Sequence, residues 1–266
     1  GGIGIIASRL TIQGPLKKDK CSIMLSGRRT YIDLFTKEIL KKVQDGKFAG
    51  NSYYFYDINA KINYRFSDKD RVYISGYFGR DVFKFKDPDG QFSLDFPWGN
   101  STVTARWNHV FDEKLFMNTS LVYNDYRFAA NIKFLDVKFD VKSSIQQISA
   151  KIDYDYSPII GHLMKFGIHY NHHIFTPYTA TGSDGTNSFK NSNANKKYAH
   201  ETAVYFLDEF DVTKWFRLNI GVRGSMFNLV GPYKKIEFNE NGSVKDTIQF
   251  ALDQVVKTYF GIEPRI

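Results

Sequence analysis

From Tyr54 onward the chain alternates apolar and polar residues one by one. Tyr54, Tyr56, Ile58, Ala60, Ile62, Tyr64 and Phe66 share one parity, and Asp57, Asn59, Lys61, Asn63 and Arg65 share the other. Successive side chains of a strand point to opposite faces, so this segment has one dry face and one wet face. The same alternation recurs along almost the whole chain in segments of about 9–11 residues, the length a tilted strand needs to cross a bilayer. The pattern predicts an all-β, antiparallel transmembrane β-barrel segment.

About eleven strands are predicted. They lie near Gly4–Gln13, Cys21–Arg29, Tyr53–Phe66, Arg71–Phe85, Ser101–Phe111 and Leu115–Phe128. Five more follow, near Ser144–Tyr156, His162–Phe175, Glu201–Asp211, Trp215–Phe227 and Thr258–Ile266. A short helix is expected over Thr36–Val43, and the polar stretch Thr181–Asn195 reads as a mobile loop.

The connections sort by length. Those at 14–20, 67–70, 112–114, 157–161 and 212–214 are short, and those near 30–52, 86–100, 129–143, 176–199 and 228–257 are long. Short periplasmic turns alternating with longer extracellular loops are the signature of an outer-membrane barrel. Single-chain bacterial barrels have an even strand number, and unpaired edges are untenable in lipid. Eleven strands are therefore expected to belong to a larger barrel.

Composition fits this reading without deciding it. The 266 residues are 42% hydrophobic, and no apolar run reaches the roughly 18 residues of a membrane-spanning helix. Aromatics make up 17%, with 24 Phe and 17 Tyr, enough for girdles at two interfaces. Tyr53, Tyr54, Phe55 and Tyr56 fall at the outer end of their strand, Tyr154 and Tyr156 at the inner end of theirs. Trp98, Tyr178 and Tyr233 fall in the long loops, where ligand stacking is open to them.

The net charge of +8 is dispersed rather than gathered into a stripe. This argues against nucleic-acid binding and fits a wet lumen or anionic lipid headgroups, lipopolysaccharide included. Cys21 is the single cysteine, so neither an internal disulfide nor a thiolate cluster is expected. Gly1-Gly2-Ile3-Gly4 reads as the edge of a strand; if the protein is exported, a signal peptide preceded it.

Two stretches resemble a known family. Ile5-Ile6-Ala7-Ser8-Arg9-Leu10-Thr11-Ile12-Gln13-Gly14-Pro15-Leu16, with Ser26-Gly27-Arg28-Arg29-Thr30-Tyr31-Ile32-Asp33-Leu34-Phe35, resembles the early barrel strands of TonB-dependent outer-membrane receptors. Tyr205-Phe206-Leu207-Asp208-Glu209-Phe210, followed by Leu218-Asn219-Ile220-Gly221-Val222-Arg223, is similar to the family's Tyr-x-x-Asp-Glu strand and Gly-x-Arg return strand. Gly261-Ile262-Glu263-Pro264-Arg265-Ile266 resembles the strand that follows.

The resemblance implies that residues 1–266 are a partial barrel of the 22-stranded, plugged type. The plug domain and the closing strands would lie outside the chain. It also implies outer-membrane localisation and TonB-driven uptake of a scarce nutrient: a glycan, peptide, siderophore or vitamin. The expected partners are the remaining strands, the plug, TonB through the plug, outer-membrane lipid and lipopolysaccharide, and a surface lipoprotein. A passive channel or a barrel enzyme assembled from several chains is the alternative. A soluble glycan-binding sandwich is a third reading.

Candidate chemistry along the chain is thin. His169, His172 and His173, with His162 nearby, invite a metal reading, but His169 and His173 share a face about 13 Å apart along a strand, too far for one ion, and adjacent His172 and His173 point apart. Asp153 and Asp155 share a face at roughly 7 Å, a spacing open to glycosidase chemistry, but Lys151 shares that face too. No Ser–His site stands out, and Gly1–Gly4 lacks the strand and helix that a phosphate loop requires. Asp208 and Glu209 have opposite parities and cannot both enter a lumen without a bulge. The expectation is a non-enzyme without cofactor or metal, and the sequence assigns no substrate-contacting residue.

Overall fold

A computed structural model describes residues 1–42, 50–184, 186–191 and 196–266. In chain order the elements are β1 (Gly2–Ile3), β2 (Ala7–Lys17), β3 (Cys21–Thr30), α1 (Ile32–Lys42), β4 (Ser52–Arg65), β5 (Asp70–Lys86), β6 (Phe92–Val110) and β7 (Leu115–Phe134). There follow β8 (Val137–Tyr156), β9 (His162–Ser183), β10 (Ser188–Asn191), β11 (Lys197–Thr213), β12 (Phe216–Val230), β13 (Tyr233–Phe238), β14 (Val244–Phe250) and β15 (Val255–Arg265).

Every long strand pairs antiparallel with its neighbour in sequence, giving one sheet in the order β1-β2-β3-β4-β5-β6-β7-β8-β9-β11-β12-β15. The short β10 pairs with the outer end of β9, and β13 and β14 form a separate hairpin. Eleven of these strands, β2 to β9 with β11, β12 and β15, are long enough to cross a bilayer. The sheet is a meander of hairpins, as a barrel wall requires.

Burial is inverted relative to a soluble protein. On one face Ile58, Phe78, Val103, Leu121 and Val204 are 41–56% exposed. On the other, Asp57, Ser120, Ser149 and Asn171 are no more than 8% exposed. In water such a sheet would leave its apolar side chains uncovered at roughly 25 cal/mol per Å². Against lipid the same face is matched. The alternation at Tyr54–Phe66 thus resolves into an outward apolar face and an inward polar one, with Ile58 opposite Phe78 and Asp57 opposite Gly79 across β4–β5.

Several strands run further than sequence patterning predicts. The long loops expected at 86–100 and 129–143 are extensions of β6, β7 and β8, closed by tight turns. Two breakers conceal this. Pro97 keeps its place opposite Val82, but the ladder from β6 to β7 skips from Asp95 to Trp98 because proline has no N–H to give. Leu135 turns the β7–β8 hairpin at φ 54°, a conformation for which a sequence normally offers Gly or Asn.

Other boundaries shift for comparable reasons. Gly14 and Pro15, expected in a turn, lie inside β2, where the ladder to β3 shifts between Pro15 and Lys17 and so absorbs the proline. Trp98 and Tyr178 consequently sit in strands rather than loops, and Tyr233 opens β13. The loop expected at Thr181–Asn195 is strand over Thr181–Ser183 and again in β10; residues 185 and 192–195 lie outside the described residues. The expected helix begins earlier, at Ile32, with Asp33 in its first turn and Lys41 and Lys42 in its last, the charge order its dipole favours. Val43 lies outside the described residues.

Candidate functional site

The inward face carries the chemistry, and hydrogen-bonded rows position it. One row reads Arg223 on β12, Tyr205 on β11, Gly167 on β9, Asp153 on β8 and Asn118 on β7. Gly167 keeps the row open: a Cβ there would clash with the Ile152 carbonyl oxygen and lie 3.0 Å from the Tyr205 ring and 3.1 Å from an Asp153 oxygen. Tyr205 therefore lies across β9 and hydrogen-bonds to Asp153, whose other oxygen takes Lys151 at 3.1 Å.

A second row, Glu201–Asn171–Ser149, lies further out. The Asn171 side-chain oxygen accepts from Gln147 at 2.9 Å and from Ser149, and its amide donates to Glu201 at 3.2 Å. Glu201 also faces His173 at 3.5 Å and Arg223 at 3.7 Å, and Arg223 reaches Glu263 on β15 at 3.7 Å. The two rows join through Arg223 into one polar wall from β8 to β15. Beside it the paired Asn108 and Asn118 each leave a buried carbonyl oxygen without a hydrogen-bond partner among the described residues.

Toward the outer end the same face turns aromatic. Tyr53 stacks on Trp98 with centroids 6.2 Å apart, Trp98 meets Phe96 at 5.4 Å, and Phe96 meets Phe128 at 6.1 Å. Sequence reasoning offered Trp98 for ligand stacking but missed its grouping with Tyr53, Phe96 and Phe128, because Pro97 and Gly99 mark the segment as a loop. The signal that finds it is the period-two run Phe92, Leu94, Phe96, Trp98. Aromatic planes above a polar wall can hold an amphipathic ligand by stacking and hydrogen bonding.

The other sequence candidates separate. His169 and His173 face inward, whereas His172 lies on the outward face beside His200, ring centroids 4.7 Å apart. His162 Nδ1 lies 2.9 Å from Asp208 on the outward face near the inner rim. Among the described residues no group of three or more metal-ligating side chains converges. Asp153 is taken up by Tyr205 and Lys151, so the Asp153–Asp155 pair is not arranged as an acid and a base. Asp208 and Glu209 do face opposite ways: Glu209 pairs with Arg217 at 2.9 Å on the inward side, and the register shift comes only later, between Asp211 and Thr213.

No protein-family model matches the chain, and no curated protein sequence does. Solved structures do. The copper transporter OprC matches with a TM-score of 0.63 at 7% identity, over 97% of this chain and 41% of its own. BauA, the ferric preacinetobactin receptor from Acinetobacter baumannii, matches with a TM-score of 0.64 at 9% identity, over 97% and 42%. The siderophore receptor PiuA from the same organism gives 0.56 at 11% identity, over 98% and 45%.

The chain has the barrel fold of TonB-dependent outer-membrane receptors. It spans less than half the length of each of these three receptors. In a TonB-dependent barrel the inward face borders the lumen and the outward face borders lipid. The polar wall and the aromatic group are accordingly luminal, and His162, Asp208 and His172 are not.

Proposed function

We propose that residues 1–266 form part of the barrel of an outer-membrane active transporter that takes up a scarce nutrient with energy delivered through TonB. The observation that carries the reading is the inverted sheet: eleven bilayer-length strands with polar side chains buried on the inner face and apolar ones exposed on the outer, in the arrangement of receptor barrels. The nutrient class is a glycan, peptide, siderophore or vitamin, captured at the aromatic outer end of the lumen around Trp98 and handed past the polar wall. A plug domain and further barrel strands complete the receptor, and TonB acts through the plug. Outer-membrane lipid and lipopolysaccharide surround it, and a surface lipoprotein is a further partner.

Uptake by the complete receptor in a Gram-negative host tests this. Uptake that stops when TonB is deleted or the proton-motive force is collapsed supports the reading. Energy-independent conductance of small solutes through the purified protein would instead make it a passive channel, and hydrolysis of a substrate in the lumen would make it a barrel enzyme.

A further inference from the structure

On the outward face, one hydrogen-bonded row runs Arg29, Tyr56, Arg80, Gly99, Arg127, Ser144, Thr176 across seven strands. Strand spacing of about 4.8 Å places Arg80 and Arg127 roughly 10 Å apart with Gly99, a position without a side chain, between them. Lys142 stands opposite Ala129, one pleat beyond Arg127 on the same face. Arg80, Gly99, Arg127, Lys142, Ser144 and Thr176 line a groove of about 520 Å³.

Charge on this groove is unbalanced. Arg127 pairs with Asp125, whereas among the described residues neither Arg80 nor Lys142 has an acidic partner. Three cations therefore meet one carboxylate. Unpaired cations on a lipid-facing surface are costly in the hydrocarbon and favourable at its boundary with anionic headgroups. The row lies ten residues from the start of β5 at Asp70, close to the length of one bilayer crossing. Below it the same face is apolar, with Phe78, Val103 and Leu121 exposed.

We propose that this groove binds a phosphorylated glycolipid of the outer leaflet, with its phosphates on Arg80, Arg127 and Lys142 and its acyl chains on Phe78, Val103 and Leu121. The inference rests on the outer-membrane reading above and assigns a site to the lipid partner. Guanidinium groups suit phosphate because their planar fork donates two parallel hydrogen bonds. The hydroxyls of Ser101, Ser144, Thr176 and Thr179 on the groove walls suit a sugar rather than a bare glycerol phosphate.

The test uses the complete receptor, purified in detergent and titrated with bis-phosphorylated lipid A, dephosphorylated lipid A and phosphatidylglycerol. The wild type should bind the bis-phosphorylated lipid at least tenfold more tightly than either comparison lipid. R80Q/R127Q should lose at least tenfold for that lipid alone, and the inward-facing K61Q should lose nothing. Heat-modified gel migration reports whether the double variant has folded; if it has not, the comparison among the three lipids on the wild type decides. Equal binding of all three lipids, or undiminished binding by a folded double variant, would overturn the site. Loss of nutrient uptake with lipid binding intact would count against the transporter reading and leave the groove standing.

Discussion

Tyr205 on β11 hydrogen-bonds to Asp153 on β8 across an entire intervening strand, and it reaches because the residue between them on β9 is Gly167. Ring, glycine and carboxylate form a single luminal feature. Gly167→Ala should drive its Cβ into the Ile152 carbonyl oxygen and against the Tyr205 ring, and destabilise the barrel by about 1–3 kcal/mol, the range for overpacking. Tyr205→Phe keeps the ring and loses only the hydroxyl, so it should cost about 1 kcal/mol. Urea unfolding of the complete receptor in vesicles measures both, and a glycine variant as stable as the wild type would contradict the packing described.

The inverted sheet makes a graded prediction. Ile58 is 49% exposed on the outward face midway along β4, and Ile62 lies on the same face three residues from the strand's inner end at Arg65. Arg at the bilayer midplane costs about 2–4 kcal/mol and much less near the interface. Ile58→Arg should therefore impair assembly more than Ile62→Arg, while Lys61→Ala on the luminal face should leave it nearly unchanged. Folded yield in outer-membrane fractions is the readout. An equal effect of all three would show that the two faces have been assigned wrongly.

Asp184, in the turn between β9 and β10, accepts hydrogen bonds from the backbone N–H of Asn187 at 2.6 Å and of Thr186 at 3.0 Å, and from the Thr186 hydroxyl at 2.9 Å. These donors favour the charged form and hold its pKa down to about 2. The folded value lies below the unfolded carboxyl value of about 3.9, so the turn has its full stabilisation above that pH and loses it as pH falls toward 2. A carbon-13 titration of the Asp184 carboxyl should show a midpoint near 2. A midpoint at the unfolded value would mean that the turn does not form.

The parity of side chains was legible from sequence because a strand facing lipid on one side and water on the other must alternate. Ile58 and Asp57, Ile62 and Lys61 could each be placed without a partner in view. Strand ends were not legible, because the residues that mark a turn in isolation serve here inside strands: Pro15 where the β2 ladder shifts, Pro97 at a gap in one ladder. Conversely Leu135 takes the left-handed position of its turn, where Gly or Asn is usual, with only Asp136 beside it to mark the turn. The polar wall was hidden for a different reason. Tyr205 and Asp153 lie 52 positions apart, and only the register of three strands brings them into one row.

Asp208 is a carboxylate on the outward face, where the lipid-facing pattern calls for an apolar residue. Asp208 presents one oxygen to His162 Nδ1 at 2.9 Å, and its other oxygen is buried without a hydrogen-bond partner among the described residues. Phe210 stacks on the His162 ring at 5.2 Å and fixes its orientation. Removing the imidazole would leave a desolvated carboxylate with no donor on either oxygen, which costs about 1–3 kcal/mol or more for a charged group. His162→Ala should therefore destabilise the barrel more than the double variant His162→Ala/Asp208→Ala, in which no orphan remains. A double-mutant cycle on unfolding in vesicles resolves the coupling. If the double variant is no more stable than His162→Ala alone, the histidine contributes packing against Phe210 rather than cover for the charge.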